Sequence, residues 1–443
     1  MILIGFCHLC QLLWEKEGEI MSDNNAANRC PVVHFDHNSQ EHSANPADSY
    51  RQLRESTPVA WSEAHEGYWI LSDYQSVFDA ARDDGTFTSQ RTPSGGEGLA
   101  VVIPKTPMHM HIPIELDPPE FRKYRKIINP ITAPAATANM ENMIKKYVTW
   151  FVDEIIELGE GDISTTIGVP ALVTVDWLGL PVEGWHKYAF VHHQALTGVP
   201  GSDDYKRAME VVMPEISQEM RLIIADRRRD PQDDAISALV QQEIDGELID
   251  LEDVFSIVEL LLAGGTGTTS SLVSQTVVWL YQNQEVRQDL TNNPEKLDKA
   301  IEEFLRFFSP TQGLARTVTE DVEFHGCPMQ KEDRVLLAWA SANRDEKAFP
   351  EADEIDIERW PNRHMAFGVG VHRCAGSHLG RAMVKEMLSQ ILTRMPGYVV
   401  DLDNIVPYPH QGTNTGFKSI PISFMPGKRL GPKLNNIAAI STR

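Results

Sequence analysis

The chain has 443 residues, 42% hydrophobic and 23% charged, an ordinary globular composition. Its formal net charge of -23 excludes general nucleic-acid binding, which needs a basic footprint, and favours solubility. Five scattered cysteines, Cys7, Cys10, Cys30, Cys327 and Cys374, are an odd, sparse set that predicts no disulfide framework and suits a reducing compartment, so a cytoplasmic protein is expected.

Residues 1–45 read as a disordered leader. Its opening, MILIGFCHLCQLLW, is apolar but shorter than the ~20 residues a spanning helix needs. It also lacks the basic start and small-residue cleavage site of a signal peptide, so no membrane association is expected. Cys7 and Cys10 form a CxxC, but no second pair completes a zinc site and no histidine follows Cys10, as c-type haem attachment requires. Met21 opens a polar stretch and reads as an alternative start. One folded unit is expected over 46–430, followed by a tail over 431–443.

Within that unit PADSYRQLRE predicts a short helix, and TPVAW and GYWILS, parted by EAHEG, predict a hairpin. DYQSVFDAARD has helical spacing. Residues 85–116, rich in Gly, Pro and Met, predict a long irregular segment of the kind that usually carries function. Helical patterns dominate from about 119 to 310. ATANMENMIKKYVTWFVDEIIEL repeats apolar residues at three and four, and 184–228 reads as two helices parted by TGVPGSDD. Asp250 to Gln282 reads as one helix, which at ~33 residues would span ~50 Å. RVLLAWA is strand-like, a final helix follows Cys374, and more strand-like pieces follow from about 399. The expected fold class is mainly α with a small β region.

FGVGVHRCAG sets Phe367, Gly368, Gly370, His372, Cys374 and Gly376 in one short run. Glycines permit positive φ and close backbone approach, so such a loop can aim several N–H groups at one sulfur. The helix AGSHLGRAMVKEML begins at the cysteine and adds the partial positive charge of its N-terminus. Both effects favour thiolate over thiol, and a held thiolate suits a haem iron. The stretch resembles the haem-binding signature of cytochromes P450, FGxGxHxCxG, at all six specified positions. That resemblance implies the cytochrome P450 fold, a single triangular haem-enclosing unit. It implies haem b (iron protoporphyrin IX) with Cys374 as the axial iron ligand, and a monooxygenase, an oxidoreductase that incorporates molecular oxygen.

Further motifs stand in the family's order. Glu303 and Arg306 in EEFLRFFSP meet at i and i+3 on one helix face. They resemble the family's ExxR pair, with Arg359 as third member, which implies a structural clamp behind the haem. LLLAGGTGTTSS tolerates Gly264, Gly265 and Gly267, at ~1 kcal/mol each against alanine, as if a flat cofactor lay against the helix or the helix were locally opened. It resembles the dioxygen-activating segment, with Thr268 as the proton-managing threonine and Ala263 and Gly264 against the cofactor. The acid that commonly precedes that threonine is Gly267 here, so protons are expected by way of waters, Thr266 or Glu259. Arg316 in ARTV, His364 in HMAFG and Arg125 in DPPEFRKYR are the implied propionate partners. Phe121 stands where many relatives have histidine. The resemblance covers about 46 to 430 and fits the soluble bacterial branch.

The resemblance also implies electrons from NAD(P)H, delivered singly by a separate 2Fe-2S ferredoxin and its reductase. Arg122, Lys123, Lys126, Arg373, Arg381 and Lys385 would offer that acidic partner a basic patch, with solvated charges as the plainer reading. A monomer is expected. Leu99, Val101, Val102, Ile103, Met108, Met110, Ala263 and Leu314 are the implied pocket, apolar and adaptable, which suggests a terpenoid, steroid or fatty-acid substrate. His109 and His111 in MHMH are candidates for a metal or a polar substrate group, against a solvated loop. The alternatives are a peroxide-using or isomerising haem-thiolate enzyme, against which Thr268 speaks, and a non-catalytic haem sensor or carrier, for which no DNA-binding or signalling module is seen.

Overall fold

The computed structural model describes residues 30–91, 98–106, 108–164, 168–434 and 437. Six strands form the main sheet: β1 (Val32–Val33), β2 (Val59–Ser62), β3 (Tyr68–Leu71), β4 (Phe87–Thr88), β5 (Leu314–Val318) and β6 (Arg334–Leu337). Their order is β1-β2-β3-β6-β5-β4. β2 and β3 are the expected hairpin, antiparallel with Trp61 opposite Trp69. The YWIL run of β3 has no charged or strongly polar position because the strand is covered on both faces. Trp69 and Leu71 pack into one cluster with Val335, while Tyr68 and Ile70 pack into another with Phe35 and Leu336, as the two-residue period of a strand requires.

The helices that matter for the site are α1 (Gln40–Ala44), α2 (Pro46–Ser56), α3 (Tyr74–Arg82), α4 (Glu120–Thr132), α5 (Glu141–Ile156), α6 (Gly168–Leu178), α7 (Trp185–Thr197), α8 (Met213–Arg229), α9 (Leu251–Thr266), α10 (Thr268–Gln282), α11 (Leu297–Phe308) and α12 (Ser377–Arg394). Side-chain oxygens start several of them: Asn45 accepts from the Asp48 N–H, Asp73 from Ser76 and Asp250 from Glu252. The large core lies among the helices, where Phe151, Leu172, Val258, Val277 and Leu388 share one cluster. The architecture is mainly α with a small β region, as expected.

Three expectations are corrected. The helix read over Asp250–Gln282 is two, α9 and α10, broken at Gly267. There the Thr268 hydroxyl donates to the Gly264 carbonyl at 3.2 Å, taking an oxygen the backbone ladder would use. The three glycines have separate reasons. A Cβ on Gly265 would lie 2.5 Å from Thr174 Oγ1 on α6, Gly267 marks the break, and Gly264 has open space around it. Next, the disordered leader does not extend to residue 45. β1 joins the sheet, Ser39 caps α1, and Phe35, His37 and His42 are buried. The expectations for residues 1–29 lie outside the described residues. Third, a disulfide joins Cys30 to Cys327 across 297 residues, although the cysteine count predicted none; spacing in sequence could not show that the chain ends of β1 and a distant hairpin meet. Within the 431–443 tail, Ile437 is buried. Among the described residues no helix is long and apolar enough to cross a membrane.

Candidate active site

α11 is strongly amphipathic and turns Glu303 and Arg306 inward, where their side chains are 1% and 0% exposed. Arg306 donates from Nε to Glu303 Oε2 at 2.8 Å and from Nη2 to Oε1 at 2.7 Å. Its remaining donors reach the carbonyls of Asn343 (3.0 Å), Ala352 (2.7 Å) and Glu354 (2.7 Å). Arg359 Nε lies 3.1 Å from both Glu303 oxygens, and Asn362 Nδ2 donates at 3.0 Å. Burial pushes the Glu303 carboxyl up, but the hydrogen bonds and charge of Arg306 hold it below its ordinary range. The pair is a buried clamp rather than a solvated surface ion pair.

The clamp reaches the cysteine loop through Asn343, a residue the sequence reading missed. Its carbonyl takes Arg306, its Oδ1 accepts the Met365 N–H at 2.6 Å, and its Nδ2 donates to Ser309 Oγ at 2.8 Å. Met365 in turn accepts from Gly368 N at 2.9 Å, and Phe367 accepts from Cys374 N at 2.8 Å. Gly368 and Gly370 sit at φ 65° and 76°, and a Cβ on Gly370 would lie 2.7 Å from the Ala81 carbonyl at the end of α3. Only glycine suits that turn.

Cys374 is exposed, but towards an interior cavity. Burial pushes its thiol up, while the Gly376 N–H and the charges of Arg125, Arg381 and Arg373 pull it down without prevailing. Desolvation therefore outweighs the donors that were expected to leave a free thiolate. A bound metal would remove the proton outright. α12 begins at Ser377, three residues later than expected.

The cavity has a volume of about 640 Å³, within the roughly 300–1,000 Å³ of small-molecule sites. Phe367, Gly368, His372 and Cys374 line it from the loop, and Ala263, Gly264 and Thr268 from the α9–α10 break. Leu99, Val101, Val102, Ile103, Met108 and Leu314 supply apolar wall, and Arg125 and Arg316 supply charge. Four expected residues do not line it. Met110 packs against the helical core and its carbonyl accepts from Ser256 Oγ at 2.6 Å. Thr266 is buried with an unpartnered hydroxyl. Gly267 faces Leu196. His364 Nε2 lies 3.1 Å from Glu302 Oε2, and Arg381 holds that same carboxylate at 2.6 Å and 2.7 Å. His364 is thus engaged by Glu302 and is not among the residues that line the cavity.

Arg316 behaves otherwise. It lies on β5, opposite Val335, and is 4% exposed. Its Nη1 donates to the Ala315 carbonyl at 3.0 Å, and among the described residues no carboxylate lies within ion-pair distance. Burial lowers its pKa to about 10. A buried cation without an ion-pair partner is costly, and only the more distant charges of Asp117 and Asp84 offset that cost, so Arg316 favours an anion in the cavity. His372 faces the same space, with Nε2 3.3 Å from Ser89 Oγ and 3.4 Å from Asp117 Oδ1, packed on Phe121 with ring centroids 4.5 Å apart. Burial pushes its imidazole pKa down. Asp117, the first residue of DPPE, was passed over; it accepts from Thr88 and from the Ser89 N–H and so orders the segment behind His372. A thiol opening inward, the open face at Gly264 and the cavity arginines Arg125 and Arg316 fit an iron porphyrin with propionate groups.

The comparisons settle the lineage. A steroid C26-monooxygenase of Mycobacterium tuberculosis is 31% identical over 389 residues, covering 86% of this chain and 94% of the relative. The chain belongs to the cytochrome P450 family. The family model "Cytochrome P450" matches residues 184–396. Linalool 8-monooxygenase of Pseudomonas putida is 29% identical over 364 residues, covering 79% of this chain and 89% of that one. Among solved structures, a Bacillus subtilis cytochrome P450 of the bacillaene polyketide synthase matches with TM-score 0.79 and 25% identity, covering 88% of this chain and 99% of that one. A Bacillus megaterium structure in complex with testosterone matches at 0.75 and 28%, with 87% and 99% covered. This cytochrome P450 is thus an oxidoreductase of the monooxygenase class.

Proposed function

We propose that this cytochrome P450 holds haem b on Cys374 and inserts one atom of dioxygen into a C–H bond of a hydrophobic small molecule. The observation that carries the reading is the placement of Cys374 and the unpaired Arg316 on one largely apolar cavity. Bound haem would supply the oxygen-activating chemistry, which a thiolate ligand favours by donating electron density. Arg316, His372 and Arg125 would hold its propionates. Glu303, Arg306 and Arg359 fix the loop behind it through Asn343. Thr268 lines the cavity with its Oγ1 bonded to the Gly264 carbonyl, a hydroxyl that can take up and pass on a proton. The apolar wall excludes water and orients the substrate. A steroid, terpenoid or fatty acid is the class proposed, in keeping with the names of the steroid and linalool monooxygenases above.

Electrons are proposed to come from NAD(P)H through a reductase and a 2Fe-2S ferredoxin, with the enzyme a monomer; a cytoplasmic location is proposed from the relatives' type alone, since the Cys30–Cys327 disulfide removes the support of the cysteine count. Arg122, Lys126 and Arg373 are exposed and support an acidic partner. Lys123, Arg381 and Lys385 support it less, being paired with Asp245, Glu302 and Asp298. The test is the carbon monoxide difference spectrum of the reduced protein. A strongly red-shifted Soret band, lost in Cys374→Ala, is expected; haem without that band would overturn the assignment. Product formed with ferredoxin, reductase and NADH would support the monooxygenase reading, and turnover with peroxide alone would replace it.

A further inference from the structure

The MHMH segment is not a solvated loop. His111 is 3% exposed and lines the cavity, as does Glu259 from α9, itself 1% exposed. His109 Nε2 abuts Glu259 Oε2, and His111 Nε2 lies 3.8 Å from the same oxygen. One ligand atom from each of the three residues lies within 4.8 Å of the others. Among the described residues Nε2 of His111 and both oxygens of Glu259 are buried without a hydrogen-bond partner, and only the His109 ring lies in ion-pair contact with Oε2. Three such atoms converging on one point are expensive for a folded protein to keep.

The surrounding structure holds them there. Ser256, one turn before Glu259 on α9, donates to the Met110 carbonyl at 2.6 Å and accepts from Ile112 N at 2.7 Å, gripping the chain on both sides of His111. Glu115 accepts from His111 N at 2.8 Å and is pinned by Arg91, which also donates to the His109 carbonyl at 2.8 Å. The neighbouring cation Arg221 is committed to Glu252 at 2.8 Å and stacks on Phe255. Backbone anchoring on both sides of His111 preorganises the loop, which favours a preformed site.

We propose that His109, His111 and Glu259 bind one divalent transition-metal ion, braced between the loop and α9. Two imidazoles and one carboxylate suit Zn²⁺ and its neighbours, and three protein ligands leave a position open on the cavity side. The ion would satisfy the three buried atoms at once and tie the wall that carries Met108 to α9. The assignment does not depend on the monooxygenase reading.

Zinc is the probe. Tag-free, haem-loaded full chain carrying Cys7→Ser and Cys10→Ser, so that CHLC cannot compete, is stripped with chelator and equilibrated with Zn²⁺, and bound zinc is counted. One zinc per chain is expected, with a micromolar or tighter dissociation constant. His111→Ala and Glu259→Gln should each weaken it by about tenfold or more, while His34→Ala, an exposed histidine away from the cluster, should not. If either buried variant fails to fold, His109→Ala decides, since its ring is 38% exposed. No bound zinc, or binding unchanged in the cluster variants, overturns the proposal whatever the enzyme's turnover.

Discussion

Arg306→Ala probes the link between the clamp and the cysteine loop. The wild-type guanidinium is wholly buried and makes two hydrogen bonds to Glu303 and three to the carbonyls of Asn343, Ala352 and Glu354. Truncation leaves those carbonyls without their donor, and Glu303 keeps only Arg359, Asn362 and the Asp356 N–H. Breaking one partner out of a buried pair costs roughly 3–5 kcal/mol, and the orphaned carbonyls place this case at the upper end. Against a typical stability of roughly 5–15 kcal/mol, about a third or more is lost. Urea unfolding of the haem-loaded protein, followed by far-UV circular dichroism, reads the loss. Haem content should fall with it, because Asn343 also holds Met365. Arg306→Lys keeps the charge but not the fork and should recover less than half. An Arg306→Ala protein within about 1 kcal/mol of wild type, with full haem content, would refute the reasoning.

Arg316→Leu should act in opposite directions on the two forms of the protein. The haem-free chain should gain about 1–3 kcal/mol as an unpaired buried charge is removed, while transfer of haem to an acceptor protein should quicken; equal shifts of one sign in both would count against a propionate partner. His42 has no hydrogen-bond partner for its ring, and burial lowers its pKa from 6.5 to about 4. The unfolded chain therefore binds the extra proton between those values, stability falls as pH drops from about 6.5 to 4, and nothing changes above. His42→Phe, packed on Tyr50 as the imidazole is, should flatten that slope by about 1 kcal/mol per pH unit at most in urea midpoints taken across this range. Gly265→Ala should cost about 1–3 kcal/mol from its clash with Thr174, whereas Gly264→Ala, in open space, should leave the urea midpoint near or above wild type.

Local patterns told most of the story, and long-range contacts told the rest. The glycine spacing around Cys374, the EEFLRFF helix and the YWIL strand each encode their geometry within a few residues, so they were legible. His364 and Arg316 were not separable on sequence alone. Each is a basic residue near a motif, and only the position of Glu302, 62 residues from His364, decides which one is already satisfied. Asn343 joins clamp to loop across 37 residues on one side and 22 on the other, a coupling no window can show. The same holds for Cys30 and Cys327, and for Ser256 gripping the chain around His111. The helix break was half visible: the glycines marked the place, but their three different causes lie on α6, on α7 and in the cavity.

Gly267, with Phe121, is a departure from the pattern the chain resembles, and the geometry around it makes a sharp prediction. Its φ of -103° is open to any L-residue, so an acid there is not barred by backbone strain. A Cβ would lie 3.1 Å from Leu196 Cδ1 and 3.7 Å from Asn414 Nδ2, and both of those residues line the cavity. Gly267→Asp should therefore push Leu196 aside by a few tenths of an ångström and set a carboxylate within reach of the Asn414 amide, next to Thr268. If protons are short at Thr268 in the natural protein, the ratio of product to NADH consumed should rise. The Leu196 displacement should lower stability by about 1 kcal/mol. The ratio is measured with a saturating substrate and a fixed ferredoxin, with Gly267→Asn as the uncharged partner that makes the same steric demand. A rise in the Asp variant alone assigns the gain to the carboxylate. A ratio unmoved in both means that protons reach the cavity by another route and that the missing acid is no deficit in this enzyme.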